Sequence, residues 1–164
     1  MKNFFSLFIG FLFFGIATFL IVAPAIVDDG ANVVVAHQPY EISERAAALH
    51  SSLLVGDWHA DSLLWMRDLT EQYDYGHLDF PRMQQGNMAL QMFTTVTKSP
   101  SGQNYKRNSS DASDNITLLA MTQRWPVATW TSLAERALFQ ADKLHELADR
   151  DPENLMLIRS RDEL

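Results

Sequence analysis

The chain opens on its least ambiguous pattern. Phe4 to Val27 is almost wholly apolar and carries no charge. The run exceeds the roughly 20 residues that cross a bilayer as a helix. It also exceeds the apolar stretch of about 7–15 residues usual in a secretory signal. Residues 4–27 therefore read as an uncleaved membrane anchor. The competing reading is a signal peptide cut at Ala23-Pro24-Ala25, which has the small-residue spacing of a cleavage site.

Beyond the run the pattern changes period several times. Residues 28–41 have no period and read as a tether. Ile42 to about Ser52 is rich in helix formers, with Ser43 placed to cap its start. Leu53 to Asp57 reads as a short buried strand, and Leu63 to Met66 opens a segment expected to be helical. In LDFPRMQQGN, Asp79 can cap a short helix, Pro81 suits its first turn and Gly86 its end. Met88 to Val96 follows as a nearly continuous apolar run, broken only by Gln91, and suits a strand buried on both faces.

Lys98 to Asn115 is a loop by composition, long enough to imply a lid or local disorder. Its two Asn-x-Ser/Thr triplets, at Asn108 and Asn115, read as chance in a Ser/Asn-rich stretch. A helix is expected from near Asp114 to Arg124, stopping before Pro126. Another is expected from Ser132 to Arg150, where Ser132 and Glu135 have capping-box spacing. Its apolar face should be Leu133, Ala137, Ala141, Leu144 and Ala148. Leu155 to Ile158 is a third strand candidate.

Buried strands separated by helices predict a parallel α/β sheet. Three strands are only part of such a sheet or of a barrel. Ser160 to Glu163 has the capping-box pattern of a starting helix, yet only Leu164 follows. The expectation is an N-terminal piece of a longer protein. The alternative, that Arg161-Asp162-Glu163-Leu164 is an ER-retention tail, explains fewer of these letters.

Charge narrows the partners. Setting aside Lys2, the one charged residue before the end of the apolar run, leaves 12 basic and 20 acidic residues, a net of −8. No basic cluster breaks this, so nucleic-acid binding is disfavoured. Lys2 before the run and Asp28 and Asp29 after it place the body outside the cytoplasm, on the periplasmic side in a bacterium. The chain has no cysteine, which removes thiolate ligands, thiol nucleophiles and disulfides.

One short stretch carries candidate chemistry: Gly56-Asp57-Trp58-His59-Ala60-Asp61. Residues i and i+2 of a strand share a face. His59 and Asp61 can thus offer an imidazole and a carboxylate to one ion, and both are zinc ligand types. Alone the pair is weak, because Asp61 could equally cap the next helix with His59 merely polar. His37, His50, His77 and His145 show no ligand spacing.

Taken together, GDWHADSLLW, GHLDFPRMQQGNMALQMFTTV and LADRDPENLMLIRSRDEL resemble the N-terminal part of the membrane dipeptidase (renal dipeptidase) family. The matching letters are Asp57, His59 and Asp61, then Asp79, Pro81, Arg82 and Gly86, then Gln91, over roughly residues 50–164. Trp58 and Ala60 depart from the family's usual glycine and asparagine. The resemblance implies a (β/α)8 barrel with two zinc ions and hydrolysis of dipeptides by a metal-activated water. It implies His59 and Asp61 as ligands of the first zinc, with Asp57 supporting the turn that presents them. The bridging glutamate, two further histidines and the acid/base groups would lie beyond Leu164, so no catalytic residue is assigned within this chain, which by itself is expected to be inactive. The other class to weigh is a membrane-anchored binding module that does no chemistry, with Trp58 and Ala60 as marks of drift.

Overall fold

The computed structural model describes residues 2–163. Its first element is a long helix, α1, Lys2–Ala31. The apolar side chains from Phe4 to Val22 are exposed, as the hydrophobic surface of a membrane-crossing helix would be without its bilayer. The last turns behave differently. Ala23 and Pro24 are buried against the body, and so is Asp28.

This corrects the tether. The helix continues past Val27 through Ala31, and only the residues after it, up to Ser43, run without regular structure. Asp28 forms a buried ion pair with Arg67, Nη1 to Oδ1 2.6 Å. Asn32 Nδ2 donates to the same carboxylate at 2.7 Å, and Gly76 N donates to Asn32 O at 2.8 Å. Gly76 has φ 74°, and a Cβ there would stand 2.3 Å from Arg67 Nη1. Glycine is required twice over, by the left-handed backbone and by the guanidinium against it.

Helix α2, Glu44–Ser52, is capped by Ser43, whose hydroxyl accepts from Ala46 N. Strand β1, Val55–Ala60, begins two residues later than expected and carries His59 inside it. The Leu63 segment forms only a 3-10 turn, Ser62–Leu64. Its leucines explain why. Leu63 packs with Leu69, Phe80 and Leu147, whereas Leu64 packs with Ile116, Ala120 and Trp125. A tight turn aims successive residues into two separate clusters, and the turn is the joint between them.

Helix α3, Phe80–Gln85, follows the expectation closely: the Asp79 carboxylate accepts from Arg82 N, proline lies in the first turn and Gly86 ends it. Asn87, at φ 53°, then reaches back to the carbonyls of His50 and Leu53, which sets the start of β2 beside the start of β1. Strand β2, Met88–Phe93, is shorter than the apolar run and pairs parallel with β1. Asp57 stands opposite Gln91 and Ala60 opposite Phe93.

Among the described residues the sheet has two strands. Leu155 to Ile158 alternates half-buried and exposed, as a strand would, but joins no ladder, so the third strand is not formed. With no strand or helix covering both faces, β2 is only partly buried instead of enclosed.

The remaining helices are α4, Asn115–Thr122, capped by Asp114, and α5, Leu133–Arg150, capped by Ser132. The buried line of α5 is Arg136, Gln140 and Leu147, rotated from the expected alanine and leucine face, with Leu133 48% exposed. The cause is polar. The Arg136 guanidinium donates to the carbonyls of Thr97, Thr129 and Trp130, to Thr117 Oγ1 and to Asp114. Gln140 pairs with both backbone groups of Val96. A count of apolar positions cannot register a face whose core is a saturated arginine.

The same arginine pins both ends of the Lys98–Asn115 loop, which Pro100 and Asp114 close with an antiparallel bridge. Helix α4 ends with Trp125 N donating to Ala120 O and Arg124 N to Met121 O. This is a Schellman cap with Arg124, φ 55°, at the position that usually carries glycine. At the far end, Glu163 accepts from Ser160 N across a 3-10 turn, Arg161–Glu163, which is the return half of the expected capping box.

The observed architecture is thus a mixed α/β body with one parallel strand pair and one long N-terminal apolar helix.

Candidate functional site

The C-terminal halves of β1 and β2 and the residues just past them carry five polar side chains: Asp57, His59, Asp61, Gln91 and Thr94. Asp57 and Gln91 come first, as neighbours across the ladder: Gln91 Nε2 donates to Asp57 Oδ2 at 2.7 Å. Gln91 Oε1 is buried without a hydrogen-bond partner among the described residues. The bond ties the middle of β1 to β2, so Asp57 supports the strand end rather than facing solvent freely.

One step further, Thr94 N donates to Ala60 O at 3.0 Å and extends the ladder past Phe93. Thr94 Oγ1 donates to Asp61 Oδ1. Asp61 is thereby held at the strand exit. It precedes the 3-10 turn but makes no side-chain cap bond to it, so the capping explanation for this aspartate does not describe its contacts.

His59 Nε2 stands 3.4 Å from each oxygen of that carboxylate. The side chains are 70% and 40% exposed, so both remain open to solvent and to a ligand. The contact is a direct histidine–carboxylate hydrogen bond, and its length also suits a shared ion. Two ligands held at about 2.0–2.1 Å on a tetrahedral zinc ion stand about 3.3–3.4 Å apart. The pair could close on one ion without moving its backbone.

No group of three or more His, Asp or Glu side chains placed to share an ion occurs among the described residues. His37, His50, His77 and His145 are exposed and far from a second ligand cluster. Of the residues named from the sequence, the structure brings His59 and Asp61 into contact and ties Asp57 to Gln91 on the neighbouring strand. It adds Thr94, which sequence reasoning missed. Its signal was available only through the pairing: in a parallel pair, the residue just past one strand meets the residue just past the other.

Trp58, on the opposite face of β1, is 66% exposed and lines an apolar groove of about 500 Å3 with Met92 and Leu155. Trp58 lies where the β1–β2 register shifts, between Asp57 and Ala60.

Comparison with known proteins identifies no relative: no family model matches the chain, and no curated protein or solved structure matches it.

Proposed function

We propose that this chain carries the first half of a zinc site in a membrane-tethered dipeptidase built on a (β/α)8 barrel. The observation that carries the reading is the 3.4 Å separation of His59 Nε2 from the Asp61 carboxylate at the C-terminal end of a parallel strand. Barrel enzymes place their chemistry at that end of their strands. The three sequence blocks that resemble the membrane dipeptidase family add the substrate class.

Each side chain has a stated task. His59 presents Nε2 to the ion. Asp61 offers one carboxylate oxygen while Thr94 Oγ1 holds the other, which fixes its orientation. Asp57, held by Gln91, ties β1 to β2 just before the register shifts toward His59. A zinc ion bound there supplies Lewis acidity toward water and toward a substrate carbonyl. Two side chains are one fewer than the three protein ligands a catalytic zinc uses. His59 and Asp61 by themselves would therefore be half of such a site.

The helix is an anchor that stays attached, with the body on the extracytoplasmic side. Supporting this, Ala23-Pro24-Ala25 lies within α1, Pro24 O accepts from buried Gln123 Nε2 at 3.0 Å, and Asp28 pairs with Arg67.

The test is zinc titration of the full chain with His59→Ala and Asp61→Ala beside it. Weak binding that both substitutions abolish supports the site. Zinc binding unaffected by either sinks it, and leaves the membrane-anchored module without chemistry as the reading of the chain.

A further inference from the structure

A second cavity, of about 480 Å3, lies between α5, the Met66–Asp68 segment and the end of α4. Its size is that of a small-ligand site. Its walls are charged in a specific arrangement. Arg67 is 6% exposed, and its Nε has no hydrogen-bond partner among the described residues. Lys143 Nζ donates to the carbonyls of Trp65 and Leu63, which leaves one of its three N–H groups for a ligand. Arg124 forms part of the rim and takes part in no ion pair among the described residues. Exposed Asp142 and Glu146 complete it on α5. Arg67 is paired with Asp28, and Arg150 with Asp68. Two cations and two carboxylates are left to face a ligand.

The cavity's height above the bilayer follows from α1. The helix is free of the body from Phe4 to Val22, a length of about 28 Å. The hydrocarbon layer is about 30 Å thick. Counted from Phe4, Pro24 then stands at the edge of that layer and Asp28 about 6 Å outside it. Gln123 is bonded to Pro24 O, so its neighbour Arg124 lies in the headgroup layer, which extends about 5–7 Å beyond the hydrocarbon.

Arg124 also occupies a left-handed position that favours glycine. Nothing in the cap itself calls for arginine there.

We infer that this cavity takes the headgroup of a zwitterionic phospholipid with a primary ammonium, phosphate against Arg124 and Lys143 and ammonium against Asp142 and Glu146. The charge balance selects it: an anionic headgroup would leave the two carboxylates opposed by nothing, and a quaternary ammonium could not donate hydrogen bonds to them. The inference rests on the anchoring reading above.

The full chain is reconstituted in phosphatidylcholine nanodiscs containing phosphatidylethanolamine or phosphatidylglycerol at equal mole fraction, and the lipid retained in detergent is counted by native mass spectrometry. One phosphatidylethanolamine per chain is expected, enriched about tenfold over either other lipid. Arg124→Gly, which relieves the backbone, and Glu146→Gln should each abolish the enrichment while circular dichroism stays unchanged. Equal retention of the three lipids overturns the inference, as does enrichment that survives both variants. Preference for phosphatidylglycerol overturns the zwitterionic assignment. Soluble phosphoethanolamine that displaces the lipid at matched concentration overturns the membrane as the source. Failure to enter phosphatidylcholine nanodiscs defeats the anchor and this inference with it, whereas entry without lipid preference defeats this inference alone.

Discussion

Asp28 and Arg67, one on the N-terminal apolar helix and one on the body, form an ion pair at 2.6 Å in which each side chain is only 2% exposed. The pair joins the end of α1 to the body. Removing one partner strands a buried charge, which typically costs about 3–5 kcal/mol. Arg67→Ala should fall in the lower part of that range, because Arg67 Nε and Asp28 Oδ2 are already without partners. Chemical denaturation in detergent micelles measures it. Replacing both residues by leucine and methionine should restore most of the loss.

Arg136 presents a different case, since its five donated contacts meet backbone as well as Asp114. Arg136→Lys keeps the charge but not the planar fork, and should cost about 3 kcal/mol from the carbonyls left unbonded. Faster amide exchange across residues 98–114 would accompany it, because this arginine closes that loop. Unchanged exchange there would contradict the role.

Arg124→Gly should raise stability. The left-handed conformation costs a non-glycine residue roughly 1–2 kcal/mol, offset in part by the greater entropy of glycine in the unfolded chain. A gain of about 0.5–1 kcal/mol is expected in thermal melts. A loss would mean that the arginine side chain contributes more to the fold than its backbone costs.

Two pH windows should be separable. Burial alone would raise the Asp79, Asp68 and Asp114 carboxyls, but hydrogen bonds from Arg82, Arg150 and Arg136 and from backbone N–H groups hold all three below the usual carboxylate range. Groups depressed on folding bind fewer protons in the native state. Their stabilisation is complete above the unfolded value of about 3.9 and is lost as pH falls through the folded values. Lys143 runs the other way along the scale. Burial, and then the Arg67 guanidinium, push its ammonium down to about 8. Between about 8 and 10.4 the unfolded chain binds the extra proton, so stability should rise with pH across that window. Lys143→Met should remove that rise, which pH-resolved denaturation can check.

Thr94→Val removes the donor that holds Asp61. If His59 and Asp61 share an ion, zinc affinity should drop about 10-fold, the lower end of the effect of a lost outer partner on a metal site. Isothermal titration of the full chain reads this directly. Equal affinity would show that Thr94 orients nothing.

How much of this was legible beforehand differs by element. Caps were readable because they are local: Ser43, Asp79, Asp114 and Ser132 each accept from a backbone N–H two or three residues on. The His59 and Asp61 pair was readable as near neighbours in sequence, although Asp61 lies just past β1 at φ −95°, ψ 22°, so Thr94 rather than the strand period fixes its carboxylate. Thr94, Arg136 and Gln140 were not, since their partners lie 33, 22 and 44 residues away. Apolar patterning carries no information about which polar side chain will satisfy a distant carbonyl.

The sequence by itself determined the long apolar helix, the helix caps and the two strands that pair, because each depends mainly on neighbours within a few residues. Tertiary structure alone decided that the helix runs on into the body through Asp28 and Arg67, that Leu155 to Ile158 stays out of the sheet, and that a polar line on α5 faces inward. Those outcomes depend on which groups are left to be bonded or buried once the chain has packed. That is a property of the whole assembly of segments and of none of them singly.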